Sequence, residues 1–511
     1  MSGIVDLSEA EAPDEQTVDV CVVGSGSGGA TTARILAEAG LEVLVLEEGG
    51  DFVGTRLTQR DGEMYDQLYM DRGGRATEDL SISVLQGRVL GGGGVINASD
   101  VVPIPEGVLR HWARAHGLGH LSAEALAPHQ QRVLADLSAS RIAEDQLNLA
   151  NRLLRGGAES LGWRGEVMMH NRVGCGGLGT CLIGCPLGAK QNPRAVAIPA
   201  AIQAGATFYT RARAVRIEEA DRELKTVVVR TLDERGYHER SELRIQARVV
   251  VVAANAVATP QLLLRSGIGN EHVGRHVMLQ PQQPIVALFD HEVVAFRGIP
   301  QAFAVTEFER EDDPEHGLWG FRIEAVMGTP GIVATLLPFV GAENKAMMTE
   351  YPRIAASLLL VPDAPSGTVG LKGSGRPLVQ YTLREDLRQR LRQAVRAAAR
   401  AYLAAGASEV LVPVAPAIRI RSQADLRQVD DLSFAPATTG LLSAHQQGGA
   451  RMAGSAADGA VDPEGMVWGT RDVYVFDTSV FPSSSSSHTM APVMTVSSYL
   501  ATGLAERYSR G

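Results

Sequence analysis

The segment Gly24-Ser25-Gly26-Ser27-Gly28-Gly29 lies between an apolar run at 17–23 and a stretch of helical spacing at 30–39, which leads into a second apolar run at 41–46. This alternation of strand-like and helix-like periods describes a β-α-β unit. Set in that context, the glycines form a dinucleotide fingerprint. Gly24 permits the tight turn, Gly26 lets the backbone approach a pyrophosphate, and Gly29 lets the helix lie close to the strand. The helix N-terminus then offers amides and a favourable dipole to the phosphates. Glu47, followed by Glu48, ends the second strand where the ribose hydroxyls need an acceptor. An acid there disfavours a 2'-phosphate, so an adenosine of the FAD or NAD type is expected rather than NADP.

One such unit accounts for a fraction of a 511-residue chain, which is long enough for two or three domains or one large interleaved body. With 45% hydrophobic and 21% charged residues it can bury a large core. The 48 basic side chains against 58 acidic ones leave a formal charge of -10, which repels phosphate backbones and excludes nucleic acid as an expected partner. The most apolar stretch, 249–264, is interrupted by Asn255, Thr259, Pro260 and Gln261 and falls short of the ~20 apolar residues of a transmembrane helix. Residues 1–17 carry five acids and no basic run before an apolar core, the wrong pattern for a secretory signal. They read as a frayed leader on a cytoplasmic protein.

Further along, 82–85 is strand-like and runs into a second glycine cluster at 91–94, and 106–137 is helix-prone. A strand-rich module occupies 207–254. Residues 284–360 read as short apolar strands between polar loops, better suited to an antiparallel sheet than to a helix bundle. The clearest long helix spans 383–405, and 473–477 is a short buried strand. Cys175, Cys181 and Cys185 crowd into a loop that Gly174, Gly176, Gly177, Gly179, Gly184 and Pro186 keep irregular. Such crowding points to metal or redox use, whereas Cys21 sits in the first strand and reads as a small hydrophobe.

Gly87-Arg88-Val89-Leu90-Gly91-Gly92 followed by Asn97, then His445-Gln446-Gln447-Gly448-Gly449-Ala450-Arg451-Met452, 473–477, Phe481-Pro482 and His488, resemble in order and spacing the signatures of the glucose-methanol-choline (GMC) family of flavin oxidoreductases. The resemblance implies an α/β fold. A discontinuous Rossmann-like FAD-binding domain (17–100, 194–283 and 432–511) would be capped by an antiparallel-sheet substrate domain (101–193 and 284–431). It implies oxidation of a small-molecule alcohol, with hydride passing to flavin N5 and a histidine taking the hydroxyl proton. Imidazole, with an unperturbed pKa of ~6.5, suits that task. By position His445 is the expected base and His488 the group that holds the substrate oxygen. Gly24, Gly26, Gly29, Glu47, Arg88, Gly91, Gly92, Asn97, Val215 and Asp477 are the expected contacts of the cofactor.

Three positions depart from the family pattern. Gly449 stands where Thr is usual and Asn255 where Gly is common, and Ile96 stands where some relatives carry a histidine bonded to the flavin, so non-covalent FAD is expected. The loop 174–190 looks like the one that holds a [3Fe–4S] cluster in FAD-dependent sugar dehydrogenases of the family. A cluster would pass electrons to an acceptor protein or quinone. Reduced thiols, or a local disulfide between Cys181 and Cys185, are the alternatives. A lyase that keeps FAD without redox turnover, or desaturation beside a carbonyl, stands as the alternative chemistry.

Overall fold

The computed structural model of the protein describes residues 3–11 and 13–509. Two large sheets organise it. The first runs in the order Gly3–Asp6, Thr207–Thr210, Val43–Leu46, Glu15–Val23, Glu239–Val252, Lys225–Leu232 and Ala212–Glu218, with Val473–Val475 paired to the far end of Glu239–Val252. Strands from the first to the fifth are parallel, and the last two turn back antiparallel. Cys21 and Val22, like Val250 to Val252, are fully buried, as expected of parallel strands covered on both faces. Helix Ser27–Glu38 lies on this sheet, and the C-terminal helix Met490–Ser509 packs on it in turn.

The second sheet is antiparallel through Ile418–Ile420, Glu409–Val412, Gln282–Leu288, Ile354–Leu360, Arg322–Val326, Phe303–Val305 and Gly165–Val167. Helix Glu385–Ala404 packs against it through Leu391, Ala394, Val395, Ala398 and Tyr402, all buried at helical spacing. Two further strands tie this sheet to the glycine loops: Leu441–Ser443 meets Gln282 and runs parallel to Ile82–Val84.

Several expectations change. The N-terminal segment is no frayed leader where it is described: Gly3–Asp6 pairs in register with Thr207–Thr210, and Leu7 is buried in the core. Met1, Ser2 and Ala12 lie outside the described residues. The stretch 106–137 forms two helices, Glu106–His116 and Ala123–Asp136, broken at Gly117. Between the strands of 284–360 the chain forms helices Pro330–Leu336 and Gly341–Thr349, which the strand-and-loop reading did not anticipate. No helix among the described residues is long and apolar enough to cross a membrane.

Candidate active site

A single cavity of about 1200 Å³ runs from the fingerprint to the second sheet. Small-molecule sites of ~300–1,000 Å³ bury a drug-sized ligand, so this one has room for a dinucleotide and a substrate. Gly24, Gly26, Glu47, Arg88, Gly92, Asn97, Asp477, His445 and His488 all line it. The two glycine loops meet as bare backbone: a Cβ on Gly92 would stand 2.7 Å from the Cα of Gly26, and Gly92 has φ +59°. That cradle fits a pyrophosphate, which needs amides unobstructed by side chains. Gly29 and Gly91 lie behind the wall. A Cβ on Gly29 would strike the carbonyl of Gly24, consistent with a role in helix packing, and the amide of Gly91 donates to Ser25 Oγ at 3.0 Å.

Glu47 is buried, and its carboxylate accepts from Ser25 N, Ser25 Oγ and Gly49 N. Burial pushes its pKa up against those hydrogen bonds. Arg88 donates to the carbonyls of Arg235 and Gly236 at 3.0 Å each and lies over the Tyr237 ring, so it braces a turn that also lines the cavity. Val215 does not line the cavity. It falls at a bulge opposite Val228 and Val229, and its neighbours Ala212, Arg213 and Ala214 face the space instead.

Asp477 is a buried hub. It accepts from Asn255 N at 2.9 Å, Thr259 Oγ1 at 2.5 Å, Ser479 N at 2.7 Å and the Ser479 hydroxyl. Asn255 has φ +81°, the left-handed region that Gly and Asn tolerate, which explains its exchange for a common glycine. Its side chain adds what glycine lacks, accepting from Val257 N, Ala258 N and Gln86 Nε2. Gly449 has φ +97°, a conformation that strains the β-branched Thr usual there.

His445 and His488 come together edge to face, their ring centroids 4.9 Å apart. Gln280 Nε2 donates to Ser486 O at 3.0 Å, so its Oε1, 2.7 Å from His445 Nδ1, accepts the ring proton. The Gln282 amide lies 3.0 Å from the same nitrogen, and with Nδ1 donating to the nearer Gln280 it must turn its oxygen rather than its NH₂ to the ring. Nε2 of His445 is thereby left with its lone pair and no protein partner. Burial, then the charge of His488, brings the His445 pKa down to about 3, so this ring is neutral at working pH.

His488 differs. Burial opposes its charge, but Glu324 and Asp100 outweigh burial and raise its pKa. Its Nε2 meets both carboxylate oxygens of Glu324 at 3.0 and 2.9 Å, and its Nδ1 stands 3.9 Å from Asp100. Glu324 is itself fully buried and held by Arg322 Nε and Gln301 Nε2, both at 2.6 Å. Nε2 of His488 is therefore taken up by Glu324, while Nδ1, 3.9 Å from Asp100 and beyond hydrogen-bond reach of it, stays available to a substrate oxygen.

Beyond the histidines the wall is apolar: Pro284, Val286, Met327, Ile332, Leu336 and Leu358 line it. Phe303, Phe321, Leu337 and Phe339 all belong to the core of the second sheet, and of the four Leu337 alone also lines the cavity.

Cys175, Cys181 and Cys185 are free thiols, so the Cys181–Cys185 disulfide is not formed. The space they share with Ser99, Arg172 and Lys190 is about 20 Å³, room for one water and not for a cluster. Arg172 Nη1 donates to Cys181 Sγ at 3.3 Å, and Lys190 Nζ donates to the carbonyls of Val95, Asn97 and Cys181. As folded, the loop does not fit the [3Fe–4S] group, and no route to an acceptor protein or quinone follows from it.

A nucleotide cradle, a neutral imidazole and an apolar wall share one cavity, the arrangement of a cofactor-dependent oxidoreductase. Comparison with known proteins makes this specific. Family models for the GMC oxidoreductase match residues 65–282 and 363–497, and a model for an NAD(P)-binding Rossmann-like domain matches 22–83. An uncharacterised GMC-type oxidoreductase of Mycobacterium tuberculosis is 34% identical over 96% of this chain and 76% of its own. A long-chain-alcohol oxidase of Arabidopsis thaliana is 28% identical over 96% of this chain and 68% of its own. The crystal structure of pyridoxine 4-oxidase from Mesorbium loti superposes with a TM-score of 0.70 at 17% identity, covering 97% of this chain and 99% of the other.

The chain belongs to the GMC oxidoreductase family. It is an enzyme, a flavoprotein of FAD-dependent alcohol oxidation.

Proposed function

We propose that the protein oxidises a primary alcohol with an extended apolar body to the aldehyde, with His445 as base. The observation that carries this reading is the open Nε2 of a neutral His445 in a cavity whose far wall is apolar. Its similarity to a long-chain-alcohol oxidase agrees with that wall. FAD, when bound, supplies the hydride acceptor.

The residues then divide the remaining work. The apolar wall gains from burying the alkyl chain, about 0.8 kcal/mol per CH₂, and excludes water from the reacting end. Nε2 of His445 takes the hydroxyl proton while Gln280 holds Nδ1–H, so the tautomer is set before the substrate arrives. His488, kept positive by Glu324 and Asp100, favours the alkoxide as the proton leaves. Gly26 and Gly92 would hold the pyrophosphate, Glu47 the ribose, and Asp477 would order the turn beneath them. Non-covalent FAD is supported by Ile96, an unreactive side chain on the cavity wall next to Asn97.

The test is anaerobic mixing of the yellow holoenzyme with 1-dodecanol, with glucose as the polar control. Bleaching by dodecanol with aldehyde formed in equal amount supports the reading. A flavin that stays oxidised while product forms points to lyase chemistry, and bleaching by glucose alone overturns the substrate class. Acid precipitation should release the flavin into the supernatant.

A further inference from the structure

A buried chain of side chains starts at Asp100, which lines the cavity beside His488, and runs from there behind the wall to His170 and Arg172. Asp100 Oδ2 faces His488 Nδ1 at 3.9 Å, and Asp100 Oδ1 lies 2.7 Å from His170 Nε2. Arg172 Nε donates to His170 Nδ1 at 2.7 Å. Arg172 is aimed by further bonds, from Nη2 to the carbonyl of Ala98 at 2.5 Å and from Nη1 to Cys181 Sγ. Backbone pairing locks the segments together: Asp100 and His170 form a β-bridge, and Asn171 N donates to Ser99 O at 3.1 Å. Asp100 and His170 are 4% and 1% exposed.

The tautomers follow from the donors. An arginine Nε can only donate, so Nδ1 of His170 must be the acceptor and its proton sits on Nε2, the nitrogen 2.7 Å from Asp100 Oδ1, in a close electrostatic contact without hydrogen-bond alignment. Burial keeps His170 neutral despite the neighbouring carboxylate. Asp100 stays ionised because it faces a donor on one oxygen and the His488 ring on the other. A neutral histidine in that place fixes the orientation of the carboxylate without cancelling its charge.

We propose that Arg172, His170 and Asp100 form a positioning relay that holds the Asp100 carboxylate against Nδ1 of His488 and so keeps that ring oriented and positive beside the base His445. His170 and Arg172 lie off the cavity wall and act through Asp100, which lines the wall and acts on His488. The groups that face His488 are Glu324, Asp100 and His445, with Arg322 behind Glu324 and His170 behind Asp100.

The relay rests on the reading of His488 as the cation beside the base, and its test does not depend on alcohol turnover. In the FAD-loaded enzyme labelled with ¹⁵N-histidine, with His488 assigned through His488→Asn, the ring nitrogens report its deprotonation midpoint. Asp100→Asn should lower that midpoint by about one pH unit or more, the effect of losing an anion within ~4–6 Å. His170→Asn should leave it near the wild-type value, since an amide can accept from Arg172 and donate to Asp100, whereas His170→Phe should lower it. If Asp100→Asn fails to fold, the contrast between the two His170 variants decides. An unmoved midpoint in Asp100→Asn, or equal behaviour of His170→Asn and His170→Phe, overturns the relay. Normal relay behaviour without bleaching by any alcohol would count against the proposed function alone.

Discussion

His445 and His488 face each other at 4.9 Å in opposite charge states, the first neutral because burial and its partner's charge suppress protonation, the second charged because two buried carboxylates demand it. A base and a cation are thus prepared side by side from the same side-chain type.

The pH dependence of turnover follows from that division. His445 titrates far below neutrality, so kcat/KM should show no acid limb between about pH 5 and 8, where an ordinary histidine with a pKa of ~6.5 would lose its basic form. His488 has a raised pKa and is charged below it, so activity should fall as pH rises through that value. An acid limb centred near ~6.5 would refute the neutral-base assignment.

Replacing the base should separate binding from turnover. His445→Ala should keep the yellow flavin spectrum and lose kcat by ~100-fold or more, measured as the rate of anaerobic flavin bleaching. A variant that bleaches at the wild-type rate removes His445 from the chemistry.

Glu324→Gln removes the closest anion from His488 without changing its size. The alkaline limb should move to lower pH, and turnover at neutral pH should fall about tenfold. An unchanged profile would mean that the charge on His488 does not depend on this contact.

Closing the cradle should abolish cofactor binding. Gly26→Val places a branched side chain where two backbones already meet, so the purified variant should be colourless while retaining its far-ultraviolet dichroism. Flavin at full occupancy would place the pyrophosphate elsewhere.

Asn255 supports the fold by two means. Asn255→Gly keeps the left-handed backbone but loses the side-chain acceptor of two helix amides, a cost of roughly a few tenths of a kcal/mol; Asn255→Ala loses the same acceptor and adds strain of about 1–2 kcal/mol. Denaturant unfolding should rank wild type above Gly above Ala.

Much of this was legible in the chain itself. The fingerprint announces its strand, turn and helix because each glycine there answers a local need, and the histidines stand in recognisable surroundings at fixed positions. Glu324, Asp100, His170 and Gln280 were not legible as site residues, because each acquires its role from a partner 70 or more positions away in sequence, and for Glu324 and Gln280 more than 160. Glu324 left a faint mark, a lone acid in the otherwise apolar end of strand Arg322–Val326. Helix Met490–Ser509 escaped notice because much of its surface is buried, which erases the one-sided period by which a surface helix is read. Val215 leaves the cavity wall to its neighbours at a bulge that sequence does not announce, and the glycine-rich setting of the cysteines does not specify how much space they enclose.

The short ribbon Gly3–Asp6 lies at the margin of the first sheet, where it satisfies the peptide groups of Thr207–Thr210. Trimmed away, it would leave that inner strand as a bare rim, open to the rim of a second molecule. A shortened chain should therefore lose the pairing that covers Thr207–Thr210 while its catalytic chamber stays untouched.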